Sequence, residues 1–217
     1  MKNLEKLERK AQENQKLAHH EIEFAKNLKL EAKSELERAK IREKLFRQEM
    51  EIAQIREVLA KKKLNLVERK RIIKDGNILK ITDEELKNES DYANFYEKLA
   101  KNSSEIAKVH KKTVNKEEII ANLKTELAND KMTLAYERNN LAKKQFNYIK
   151  LVRENASEKK ITNAEQKYKN QAERIWKIRD EIFNKEKEIK NKENELGNLR
   201  KEHSLKLSER EKIKHLT

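Results

Sequence analysis

The stretch Leu17-Ala18-His19-His20-Glu21-Ile22-Glu23-Phe24-Ala25-Lys26-Asn27-Leu28-Lys29-Leu30-Glu31-Ala32 carries an alanine at every seventh residue, and a larger apolar residue precedes two of the three. Extended both ways, the step holds as Leu4, Ala11, Ala18, Ala25, Ala32, Ala39, Phe46, Ala53, Ala60, Val67. One position ahead of it stand Leu17, Phe24, Leu45, Ile52, Leu59, Leu66 and Ile73; four positions behind stand Ile22, Leu36, Met50 and Leu64. Seven residues cover two turns at 3.5 residues per turn, the period of a helix packed along its length against another helix. Alanine ends at Cβ, so a partner backbone can come close. The preceding Leu, Ile or Phe is expected to fill the space beside it.

The pattern returns further along. Ala93, Ala100, Ala107, Val114, Ala121, Ala128, Ala135, Ala142, Ile149 and Ala156 form a second series, preceded at most steps by Tyr92, Leu99, Ile106, Ile120, Leu127, Leu134, Leu141 and Tyr148. The last third is more polar. It keeps the step through Ile161, Tyr168, Ile175, Ile182, Ile189, Leu196 and His203 on a narrower seam. Gly197 should weaken the helix there by about 1 kcal/mol, and fraying is expected from about His203.

Composition agrees with long helices. The 217 residues include no proline, no cysteine and two glycines, with 42% charged and 5% aromatic. Such scarcity of large apolar groups excludes a globular core of this size. Mixed-sign charge and abundant Ala, Leu, Glu, Lys and Arg favour helix over disorder.

Two breaks divide the chain. At the first, Asp75-Gly76-Asn77 is expected to end a helix, with Gly76 at positive φ. Thr82 then caps the next helix, Glu85 completes a capping box, and Ile81 and Leu86 are spaced for a hydrophobic staple. The second break repeats the Lys80-Ile81-Thr82-x-x-Glu85 start as Lys160-Ile161-Thr162-x-x-Glu165. It lacks Gly and Pro, which leaves a full reversal and a kink both open. The fold class is therefore all-α: a long antiparallel helical coiled coil of three helices, near 2–74, 83–155 and 162–212, in an up-down-up rod. Residues 1–75 form the first long helix, 76–156 a turn and the second, and 157–217 a turn and the third, all in one elongated domain.

The residues offer no catalytic, cofactor-binding or metal site. His19, His20, His110, His203 and His215 include no pair three or four apart on one helix face. No glycine-rich phosphate loop, nucleophile–base set or thiol is present, so no enzyme, cofactor or small-molecule substrate is expected. Net charge is +14. Basic residues gather near the ends of the first two helices: Lys61, Lys62, Lys63, Arg69, Lys70, Arg71 and Lys74, then Lys143, Lys144, Lys150 and Arg153. Cations there suit the helix dipole, and they could also meet an acidic partner or anionic lipid. Among the aromatic residues, Tyr92 and Tyr148 are assigned to the packed stripe, Phe95 and Phe146 to exposed contacts, and Trp176 to anchoring the third helix or a partner.

The favoured function is a structural scaffold for protein–protein assembly, with self-association. The alternatives are a peripheral membrane-surface module of BAR type and a helical-hairpin adaptor docking on another coiled coil; nucleic acid ranks behind these. Met1 to Lys10 lacks an apolar signal core, and a cytoplasmic location is expected.

Overall fold

The computed structural model describes residues 2–76 and 81–215, and every regular element among them is helical. The elements are α1 (Lys2–Asp75), α2 (Asp83–Arg153) and α3 (Glu158–Lys214). Helices of this length need packed partners, since propensity alone leaves even short ones marginal in water.

The chain ends between them are specific. Thr82 donates its backbone N–H to Glu85 Oε2 at 2.9 Å, and the Glu85 N–H reaches Thr82 Oγ1 at 3.2 Å. This completes the capping box at the start of α2, with Leu86 buried behind it. No described glycine has positive φ; Asn155, at φ 50°, is the left-handed residue instead. It closes α2 with two bonds, Asn155 N–H to Val152 O at 3.2 Å and Ala156 N–H to Leu151 O at 3.0 Å. That is a Schellman ending, which asparagine tolerates better than most residues. The second break is therefore a true helix end. Asn77, assigned above to the first turn, lies outside the described residues.

α3 begins four residues before the expected Thr162. Ser157 O accepts from Lys160 N–H at 2.9 Å and Ile161 N–H at 3.2 Å, so the chain re-enters helix directly after the Schellman turn and Thr162 lies inside α3. α3 is helical to Lys214, past the His203 from which fraying is expected, with Lys206 bonded to Glu105 and Glu209 at 2.8 and 3.0 Å.

Two compact units draw on all three helices. One comprises Met1–Leu36 and Glu118–Glu193, the other Glu37–Glu117 and Asn194–Thr217. In the first, Asn14 meets Gln145 at 3.3 Å, Glu21 meets Arg138 at 3.1 Å and Glu35 meets Lys124 at 2.8 Å. One number climbs as the other falls, so α1 and α2 run antiparallel. Glu137 with Arg174, Lys131 with Glu186 and Lys124 with Glu193 show the same for α2 and α3. In the second unit, Arg42 pairs with Glu117, Glu49 with His110, Arg56 with Ser103 and Lys70 with Glu89. α3 joins through Glu117–Arg200 at 2.8 Å and Glu105–Lys206 at 2.8 Å.

The core is largely alanine. Ala11, Ala18, Ala25, Ala32, Ala39, Ala53 and Ala60 of α1 are buried, as are Ala93, Ala100, Ala107, Ala121, Ala128, Ala135 and Ala142 of α2. Ala164, Ile175, Ile182, Ile189 and Leu196 are the buried apolar residues of α3.

Candidate interaction face

The residues ahead of the alanines behave differently on the two long helices. On α2, Leu99, Ile106, Ile120, Leu127, Leu134 and Leu141 are buried. On α1, Leu17, Phe24, Leu45, Ile52, Leu59 and Leu66 are exposed, which corrects the expectation that they fill space beside the alanines. The cause is position: α2 carries partners from both α1 and α3, whereas α1 turns its alanines and the residues three and four beyond them inward. Ile22, Leu36, Met50 and Leu64 are half-buried on that side.

An uncovered apolar face results. In the second unit it comprises Ile41 (60% exposed), Leu45 (49%), Ile52 (47%), Ile55 (67%), Leu59 (38%) and Leu66 (54%). Their spacing of three, four and seven residues keeps them on one side of α1. Isolated exposed apolar residues are ordinary, but a contiguous stripe marks an interaction surface. Beside Leu66 lies a shallow groove of about 470 Å³, lined also by Lys63, Val67, Asn88 and Tyr92. Tyr92 is exposed rather than packed in the stripe. Its ring stacks near Phe95 and meets Tyr96 edge-on, and the Lys63 ammonium sits 4.0 Å from its centroid. Phe95 and Phe146 are half-buried, while Trp176 is 70% exposed with the Arg179 guanidinium over its ring.

Between α1 and α2, each unit also holds a column of polar side chains that sequence reasoning overlooked. Three residues after the alanines of α2 come Ser103, His110, Lys124, Arg138 and Gln145, with Glu117 after Val114. Each meets a residue three places after the α1 series: Arg56, Glu49, Glu35, Glu21, Asn14 and Arg42 respectively. α3 supplies further partners. Lys124 is held by Glu31, Glu35 and Glu193; Glu117 lies between Arg42 and Arg200. Burial alone would lower the Lys124 pKa, but hydrogen bonds and charge from Glu35 and Glu193 outweigh it and raise it. Glu21 is opposite in sense: burial raises its pKa despite Arg138, Lys131 and Arg179. Its Oε2 and Arg138 Nε lie close yet neither makes a hydrogen bond.

The basic residues singled out near the helix ends fall into two groups, one in each unit. Most are engaged. Lys61 pairs with Glu57, Lys70 with Glu89, Arg71 with Glu68 and Lys74 with Asp83. Lys144 bonds Gln171, Lys150 pairs with Glu154 and Arg153 with Glu8. Lys62, Arg69 and Lys143 are exposed.

Comparison with protein-family models, curated proteins and solved structures finds no match for this chain. Among the described residues no helix is long and apolar enough to cross a membrane.

Proposed function

We propose that the protein is a non-catalytic structural scaffold, which assembles through the exposed face of α1 with a second copy of itself. The carrying observation is the stripe Ile41, Leu45, Ile52, Ile55, Leu59 and Leu66, left uncovered at heptad spacing beside a fully used alanine seam. Burying the exposed part of each such side chain is worth about 1 kcal/mol, since full burial of a wholly exposed one gives about 1.5–3 kcal/mol. Exposed charges of both signs on the same stretch, including Lys44, Glu51 and Glu57, allow an antiparallel copy to place opposite charges together. The membrane reading has less support, because most of the basic groups that would face lipid already have partners within the chain.

Light scattering across a concentration series tests this. Association should appear, and Leu45→Gln, Ile52→Gln and Leu59→Gln together should weaken it by at least about 100-fold with helix content retained. A monomer at every concentration would overturn self-assembly. Binding to anionic but not neutral vesicles, unaffected by these substitutions, would favour the membrane reading.

A further inference from the structure

At one level of the second unit the polar column changes character. Glu49 of α1, His110 of α2 and His203 of α3 converge, with one ligand-capable atom of each lying within 4.8 Å of the others. Glu49 Oε2 is 2.7 Å from His110 Nδ1, and the two imidazole rings have centroids 5.2 Å apart. His203 occupies the α3 position held by Ile175, Ile182, Ile189 and Leu196 on the four preceding heptads, all of them buried. A histidine there is a poor replacement for Ile or Leu unless its nitrogens are used. Yet His203 Nε2 is buried without a hydrogen-bond partner, and such a group costs free energy when left unsatisfied. Phe46, which replaces alanine at this level of α1, lies edge-on to His110 with centroids 6.4 Å apart and shields one side.

We propose that Glu49, His110 and His203 form a binding site for a divalent transition metal of the zinc class, tying the three helices of this unit together. Two imidazoles and one carboxylate are a common ligand set for such ions, with a fourth position open to water. Metal–ligand distances near 2.0–2.1 Å place neighbouring ligand atoms about 3.3 Å apart in a tetrahedron. On binding, the Glu49–His110 hydrogen bond therefore opens, any proton it holds leaves, and the His203 ring turns inward, small rotations that half-buried side chains can make. The choice of metal follows from the donors. Two of the three are imidazole nitrogens, which hard, oxygen-seeking ions such as Mg²⁺ or Ca²⁺ bind poorly. A metal with intrinsic affinity for imidazole is favoured. The three ligands lie 61 and 93 residues apart in the chain, which is why no spacing within one helix discloses them.

The test uses the full chain, stripped with chelator and titrated with Zn²⁺ or Co²⁺ alone. One equivalent should bind, the thermal midpoint should rise with metal concentration, and Co²⁺ should give the visible absorption of a four-coordinate site. Loss of an outer-shell partner already weakens metal sites 10–100-fold, so His203→Gln should weaken binding by at least about 100-fold. Glu49→Gln keeps side-chain shape and supplies a second arm should His203→Gln fail to fold. A variant with His19→Ala, His20→Ala and His215→Ala should bind as the parent does. The proposal is overturned if no metal binds, if Glu49→Gln and a folded His203→Gln bind as tightly as the parent, or if binding is lost only in the three-histidine surface variant.

Discussion

Single residues decide how each helix starts, stops and stays intact. Thr82 and Glu85 exchange three hydrogen bonds at the head of α2, so Thr82→Ala should cost about 1 kcal/mol in urea unfolding near neutral pH. The backbone N–H of Thr82, then its hydroxyl, hold the Glu85 carboxyl below its ordinary pKa. A lowered carboxylate stabilises above its unfolded pKa, and the benefit disappears as pH falls through the folded value. The penalty of Thr82→Ala should therefore shrink in strong acid. Gly197 offers the reverse case. It sits within α3 with nothing inside 4 Å of where a Cβ would be, so Gly197→Ala should raise stability by about 0.5–1 kcal/mol, read as a higher thermal midpoint. The absence of Gly and Pro at 154–158 left a reversal and a kink both open in the sequence, and a left-handed Asn155 supplies the helix ending that glycine usually makes.

Between elements, the alanines set the approach and the polar column sets the register. Ala107 is wholly buried, so Ala107→Leu should destabilise by about 1–3 kcal/mol through overpacking. Leu45→Ala, on the uncovered face, should change monomer stability by no more than about 0.5 kcal/mol. Chemical unfolding at low protein concentration separates them. The Glu21–Arg138 pair makes a less intuitive point. Burial leaves the Glu21 pKa raised even beside its cations, so its contribution to stability is full below the unfolded pKa and is lost as pH rises through the folded value. Glu21→Gln should be at least as stable as the parent at neutral pH, and the parent should gain on it as pH falls; a marked loss at neutral pH would show the ion pair to be stabilising. The existence of the helices was legible because heptad spacing is local to each segment, and the reversal from α1 to α2 because the turn between them is short. Which flank of the alanines would be covered was not legible. Leu45 and Leu127 follow the same local rule, and only the central placement of α2 buries one and exposes the other.

For the whole molecule, the excess of 53 basic over 39 acidic residues looks different once partners are assigned. Cations such as Lys124, Lys131, Arg138 and Lys185 sit among carboxylates from neighbouring helices, and that charge specifies how this chain packs on itself. The apolar face of α1 and the Glu49–His110–His203 group were invisible in the sequence for one reason: each is defined by where other helices lie. Both units repeat one principle, a small residue inside and a polar rung three places on. Its register follows from Glu49–His110 and Arg56–Ser103, which put Ala53 and Ala107 at the same level. The most direct measurement is disulfide formation in this cysteine-free chain, since a cross-link requires Cα atoms within about 7 Å. Ala53→Cys with Ala107→Cys should oxidise to an intramolecular bridge while helicity is kept, whereas Ala53→Cys with Ala100→Cys, displaced by seven residues and about 10 Å, should not. Bridging of the displaced pair, or of neither, would contradict the close antiparallel alanine seam.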